Sequence, residues 1–266
     1  MELLSKTSNT YIAATIDRSW RILLAAFSGL LGLLAWFLVS TYGAMPSFIL
    51  PTPGQVWVRF LKTLWDGSLL LHTGITLLEV LMGLTLGVSV AILAGYLLAK
   101  SNTIERILSP YIVASQSIPI VAIAPLLIIW IGPGMLSKVL IGALIVFFPV
   151  LINTIVGVRS VPNELYELMK SLQATRWQTL TMLEIPAALP VFLGGLRIGA
   201  TLAVIGAVVG EFVGADQGLG FLINVGRGLY DTALVFVAVF TLILMALVLY
   251  GAVVLLENKF LSWQKH

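Results

Sequence analysis

Six stretches of this chain, residues 22–41, 73–99, 107–131, 139–156, 191–213 and 233–256, stay apolar for about the length of a bilayer crossing. A hydrocarbon core needs roughly 20 mostly apolar residues per helix. Backbone groups inside it must be bonded within the segment, so such runs form helices. Composition closes the alternatives. Only 10% of the 266 residues are charged and 59% are hydrophobic, against about a quarter charged in soluble domains. Disorder needs the opposite balance, low hydrophobicity with high net charge. A formal charge of +3 is too small to point to a nucleic-acid partner. The chain has no cysteine, which excludes disulfides, thiolate metal sites and cysteine nucleophiles. His72 and His266 lie too far apart in sequence to suggest a metal cluster. The expectation is an all-α, polytopic membrane protein with six transmembrane helices.

The first run is longer than the apolar region of a signal peptide, about 7–15 residues, and more spans follow it. It is therefore read as an uncleaved helix. Eleven of the fifteen Lys and Arg fall on the side of the N terminus; Arg59, Lys62, Lys138 and Arg227 fall on the other. That asymmetry predicts cytoplasmic termini. The expected division is a cytoplasmic segment 1–21, a six-span transmembrane domain 22–256 with a cytoplasmic loop at 157–190, and a cytoplasmic tail 257–266. On the outer side, the turn cluster Pro51-Thr-Pro-Gly54 precedes Val56, Phe60 and Leu64. That spacing predicts a short amphipathic helix lying along the bilayer face, with Trp57 and Trp65 at the interface.

The 157–190 loop is patterned. Asn163 and Glu164 suit a helix start, and Leu165, Leu168, Met169 and Leu172 form one stripe of a short helix. Trp177, Leu180 and Leu183 make a second stripe, which Pro186 is expected to end. Spacing alone leaves two readings open: the helices fold back on their own spans, or the stripe docks into a partner's groove.

The loop resembles the EAA motif of permease subunits of bacterial binding-protein-dependent ABC importers, Glu-Ala-Ala, three residues, Gly, nine residues, Ile-x-Leu-Pro. Here it reads Glu167-Leu168-Met169, three residues, Gln173, nine residues, Leu183-Glu184-Ile185-Pro186. The glutamate, the proline, the apolar pair and both gaps match; both alanines and the glycine do not. Gln173 stands where glycine usually supplies a positive φ. Ala124-Pro-Leu-Leu-Ile-Ile-Trp130, Phe148-Pro-Val-Leu-Ile-Asn-Thr154, Pro186-Ala-Ala-Leu-Pro190, Gly194-Gly-Leu-Arg197, Gly210-Glu-Phe-Val-Gly-Ala215 and Gly218-Leu-Gly-Phe-Leu-Ile223 resemble one branch of that family. The branch imports nitrate, taurine, sulfonates, bicarbonate and vitamin or vitamin-precursor heterocycles.

The resemblance, covering roughly residues 51–256, implies a type I ABC importer permease fold in the bacterial inner membrane. It also implies three protein partners beside membrane lipid: a second copy of the chain, a cytoplasmic ABC ATPase dimer and an extracytoplasmic binding protein. The chain has no Gly-x-x-x-x-Gly-Lys-Ser/Thr loop, so ATP and Mg are expected on the partner ATPase, with no catalytic residue, cofactor or metal here. Leu165, Glu167, Leu168, Met169, Leu172, Gln173, Trp177 and Pro186 are the expected coupling residues.

Candidates for the translocation path are polar groups in apolar runs. Pro110, Pro119 and Pro125 each remove a helical hydrogen bond from the third run, beside Ser115, Gln116 and Ser117. Those side chains either satisfy the freed backbone or line the path, and Asn153 and Thr154 admit the same two readings. Glu79 and Glu211 lie toward the outer side, where they either have a solvated or structural role or act in transport. Arg197 and Glu211, fourteen residues apart, would be about 21 Å apart along one helix; Arg197 is expected to snorkel inward. Gly218-Leu-Gly220 suggests a short outer re-entrant or amphipathic segment. A secondary transporter would need an internal repeat and midplane acids, neither of which is evident, and a membrane enzyme would need a nucleophile–base pair, which is also not evident. A channel would need no ATP.

Overall fold

The computed structural model describes residues 20, 23–24, 26–43 and 45–262. Among them every regular element is helical. In chain order these are α1 (Ala26–Tyr42), α2 (Pro53–Trp65), α3 (Ser68–Lys100), α4 (Asn102–Gln116), α5 (Ile120–Ile131) and α6 (Met135–Arg159). Then come α7 (Asn163–Ser171), α8 (Arg176–Thr179), a π turn (Leu180–Glu184), α9 (Ile185–Gly214), α10 (Leu219–Gly228) and α11 (Thr232–Phe260).

Helices α3, α6 and α11, and the continuous rod Arg176–Gly214, are each long and apolar enough to cross a membrane. The third apolar run does not form one straight span. It divides into α4 and α5, bent by 93°. Pro110 and Pro125 stay inside their helices, and the break falls at Pro119. Two effects converge there. The Ser115 and Ser117 hydroxyls donate to the carbonyls of Tyr111 (2.7 Å) and Val113 (3.3 Å), competing with the backbone ladder. Pro119 then lacks an N–H and disfavours helix at the residue before it. The six expected spans thus become four straight crossings, one broken pair and the shorter apolar helix α1; residues 22 and 25 of the first run lie outside the described set. The segment 1–21 lies outside it except for Trp20, as do residues 263–266 of the expected tail. Helix α11 continues past the expected boundary at 256 to Phe260.

Helix α6 runs along both α3 and α9, and the three form the packed centre. Their backbones approach closely. A Cβ on Gly87 of α3 would lie 2.6 Å from the Ala143 carbonyl oxygen of α6, and one on Gly206 of α9 would lie 2.6 Å from the Gly142 Cα. Small residues give such contacts in membranes, where dispersion rather than water release holds helices together. Val146, Val150, Leu151, Ala203, Val204 and Ala207 fill the seam.

Helix α2 forms as its pattern predicts. Thr52 and Gln55 cap it reciprocally, it lies against α11 and α3, and Trp57 and Trp65 are exposed. Trp36 of α1 donates to the Pro51 carbonyl at 3.0 Å and stacks on Phe236 of α11 with centroids 5.3 Å apart.

Candidate functional site

At one end of the bundle, the 157–190 loop presents an apolar stripe that none of the described residues covers. Helix α7 has no buried residue. Leu165, Leu168 and Leu172 are exposed, the last 68% so; Met169 is half-buried, Glu167 is exposed, and Trp177 is 71% exposed. Of the two readings left open by spacing, folding back on the spans is the one this geometry disfavours. Pro162, rather than Asn163, occupies the N-cap position, and Asn163 is the first helical residue.

The turn keeps its shape without glycine. Gln173 adopts φ +54, with its N–H donating to Lys170 O at 3.0 Å and the next N–H, of Ala174, donating to Met169 O at 2.9 Å. This pair of bonds is a Schellman closure built on a residue that pays about 1–2 kcal/mol for the left-handed conformation. Thr175 and Gln178 cap the next helix reciprocally. That helix does not stop at Pro186. The rod runs unbroken from Arg176 to Gly214, with Pro186 at the start of α9. The π turn ahead of it closes i→i−5, as in Ile185 N–H to Leu180 O. The wider ring removes the carbonyl clash that proline makes in an α-helix.

Beneath the loop sits a cluster that the sequence pattern did not single out. Glu184, in the π turn and buried, forms an ion pair with Lys100 at the end of α3. The Tyr96 hydroxyl donates to the same carboxylate at 3.0 Å. The Lys100 ammonium lies 4.9 Å from the ring centroid of Tyr166, on α7, and 5.7 Å from that of Tyr96. Burial first, and then the Glu184 charge, push the Tyr166 phenol up. A cavity of about 410 Å³ opens alongside, lined by Ile92, Leu93, Ala188, Leu189 and Phe192 among others. Nearby, Arg159 at the end of α6 pairs with Glu105 (2.7 Å) and donates to the Leu98 carbonyl, joining α6 to the α3–α4 connection.

The opposite end holds a second buried polar cluster. Glu79 and Glu211 are 2% and 0% exposed, so neither faces water, which corrects the solvated reading. Lys138 of α6 donates to Glu79 Oε1 at 2.8 Å; counted as an outer charge in the sequence, it is buried inside the bundle. Thr76 donates to Glu211 Oε1 at 2.6 Å, and the Gly220 N–H donates to Oε2. The Leu219 N–H donates to Thr76 Oγ1 (2.8 Å) and the Gly218 N–H to His72 Nδ1 (2.9 Å). Glu211 thereby caps the N terminus of α10 from another helix. Gly218 makes this possible. Its φ is +113, and a Cβ there would lie 2.2 Å from the Glu211 carboxylate. The expected short segment after Gly218-Leu-Gly220 is α10, packed on α11 and α9. Arg197 does not simply snorkel; it forms an ion pair with Glu257 of α11, over the ring of Tyr250.

The remaining candidates divide by location. Asn153 donates to the Pro149 carbonyl at 2.8 Å and faces Gly195 of α9; Thr154 donates to the Val150 carbonyl at 2.7 Å and faces Gly95 of α3. Both sit in helix seams. Ser115, Gln116 and Ser117 are exposed at the α4–α5 break, the two serines bonded to their own helix. The structure therefore gathers Glu79 and Glu211 into one cluster with His72, Thr76 and Lys138, and leaves the other candidates apart. One signal for the missed members was present: His72, Thr76 and Glu79 repeat at i, i+4 and i+7 on one face of an apolar run. Among the described residues, no three or more His, Cys, Asp or Glu side chains converge as metal ligands.

Comparison with known proteins agrees with this architecture. A family model described as "Binding-protein-dependent transport system inner membrane component" matches residues 83–262. The chain is 48% identical over 232 residues to the "Riboflavin transport system permease protein RibX" of Chloroflexus aurantiacus, covering 87% of each. It is 36% identical over 250 residues to the "Formylaminopyrimidine transport permease protein ThiX" of Halalkalibacterium halodurans, covering 94% of this chain and 99% of that one. Among solved structures, the MetNI methionine ABC transporter in an inward-facing conformation superposes with a TM-score of 0.62 at 18% identity, over 71% of this chain and 94% of that chain.

Proposed function

The chain belongs to the family of binding-protein-dependent transport system inner membrane components, the permeases of ABC importers, and from that premise we propose how it works and what it carries. Two copies form the path, and an ATPase dimer carrying ATP and Mg docks on the 157–190 loops. A binding protein delivers solute to the opposite end. Both termini then lie in the cytoplasm, as the distribution of Lys and Arg supports.

The observation that carries the reading is the uncovered stripe of α7. An exposed row of Leu165, Leu168 and Leu172 beside Glu167 and Trp177, outside the apolar spans, has the pattern of a helix that enters a partner's groove. Met169, the Gln173 turn and the Pro186 junction set its angle. Nucleotide-driven closure of the ATPase dimer would draw the two loops together and open the opposite end. The dimer reading draws support from α4, which has no buried residue. A second copy laid there would enclose Ser115, Gln116 and Ser117.

We take the cargo to be a nitrogen heterocycle of the vitamin or vitamin-precursor class, on the strength of the riboflavin and formylaminopyrimidine relatives. The buried acids do not bear on that choice, because Glu79 is paired and Glu211 caps α10. The test is uptake into vesicles holding this chain, its ATPase and its binding protein. Riboflavin uptake should require ATP and binding protein and exceed that of taurine, an alkanesulfonate or nitrate. Flux without ATP would instead mean a channel or secondary transporter, and preference for taurine, a sulfonate or nitrate would overturn the cargo assignment. Glu167→Ala combined with Leu168→Asp should abolish copurification of the ATPase; unchanged copurification would remove the docking role.

A further inference from the structure

We infer that the Lys100–Glu184 ion pair, clamped by Tyr96 and Tyr166, is the joint through which movement of α7 reaches the membrane helices. This rests on the docking role proposed above for the loop. Three elements meet at the pair. Glu184 belongs to the π turn that begins the α9 rod, Lys100 and Tyr96 close α3, and Tyr166 comes from α7 itself. Tyr166 is the only residue of α7 that reaches the cluster in these contacts; its neighbours Leu165 and Glu167 point to the open side.

The chemistry suits a joint that holds position while its parts turn. A carboxylate with 4% side-chain exposure is held by an ammonium and a phenol, and a buried charge of that kind is costly to leave unpaired. A cation over an aromatic face, by contrast, tolerates sliding, because the attraction depends on the ring quadrupole rather than on one directed bond. Lys100 thus stays fixed to Glu184 while the Tyr166 ring can shift across it. On the α3–α9 side of the pair, the cavity of about 410 Å³ borders Tyr96, Leu180, Glu184 and Ile185, and a π turn is a common site of local adjustment in a helix. The four residues act by positioning α7 on α3 and α9; none forms the exposed stripe.

The test measures three quantities on the complete transporter: ATPase copurification, ATP turnover, and solute transported per ATP. Glu184→Gln and Lys100→Met should keep the first two near wild type and lower transport per ATP about tenfold, within the range of typical coupling energies. The exchanged pair Lys100→Glu with Glu184→Lys should recover a large part of that loss. Tyr166→Phe, which keeps the ring but loses the phenol beside Lys100 and Glu184, should keep most of the coupling, while Tyr166→Ala should uncouple. Unchanged transport per ATP in Glu184→Gln would overturn the joint, and so would loss of copurification, since the pair would then shape the docking face instead. Should the single charge variants fail to fold, the Tyr166→Phe and Tyr166→Ala comparison decides: equal transport per ATP in both overturns the proposal. Failure of the docking role itself shows separately, as unchanged copurification in the Glu167→Ala, Leu168→Asp chain.

Discussion

A carboxylate among apolar helices is costly unless it is paired or bonded, and Glu79 and Glu211 are held differently, with Glu79 Oε2 left buried without a hydrogen-bond partner. Glu79 takes an ammonium from Lys138 at 2.8 Å. Glu211 takes a hydroxyl and a backbone N–H, at the positive end of α10. Removing one partner of a buried pair strands the other and costs about 3–5 kcal/mol, whereas replacing both with apolar groups is often neutral or better. Lys138→Met alone should therefore lower the thermal unfolding midpoint of the detergent-solubilised chain, and Lys138→Met with Glu79→Leu should regain most of it. A double variant as unstable as the single one would show that the pair does more than neutralise itself. The acids were visible in the sequence as exceptions within apolar runs. Lys138 was not, because a base at the edge of a run reads the same whether it faces solvent or turns inward.

At the scale of elements, the turn after α7 shows how far local pattern carries and where it stops. The spacing of Leu165, Leu168 and Leu172 is enough to define the helix and its stripe. It is silent on whether Gln173 can replace glycine. The backbone answers by keeping φ at +54 and both closing hydrogen bonds. Relief of left-handed strain, about 1 kcal/mol, should make Gln173→Gly slow proteolysis within the 157–190 loop, while β-branched Gln173→Val should hasten it. Equal cleavage in all three chains would mean that the turn opens before strain matters. The third apolar run illustrates the converse. Its three prolines look equivalent in sequence, yet only Pro119 breaks the helix, where two serine hydroxyls already compete for the same turn. The Pro186 junction is similar: proline there was expected to end a helix, and a π turn five residues long absorbs it instead.

Over the whole molecule, α3, α6 and α9 form a block whose closest approaches fall at glycines, with Val146, Val150 and Leu151 filling the seam between them. A Cβ at Gly206 would lie 2.6 Å from a backbone atom that cannot step aside, so Gly206→Leu should separate α9 from α6. The expected cost is at least the 1–3 kcal/mol typical of overpacking, read as loss of monodisperse protein on size exclusion. Gly194, where a Cβ would meet nothing within 4 Å, provides the control: Gly194→Leu should elute as wild type. Equal behaviour of the two would mean that the helices are free to re-space.

The all-helical membrane class, the approximate apolar runs and the stripe of α7 followed from the amino-acid sequence, because apolar length and a 3.6-residue period are local properties that need no partner to be read. Tertiary structure alone decided which charges neutralise one another. Glu184 finds Lys100 across 84 residues, Glu79 finds Lys138 across 59, and Glu211 meets the hydroxyl of Thr76 across 135. Such pairs are set by which helix faces meet. Spacing can mark a face, as Gly83, Gly87, Ala91 and Gly95 do on α3, but it does not say which face of which other helix will meet it.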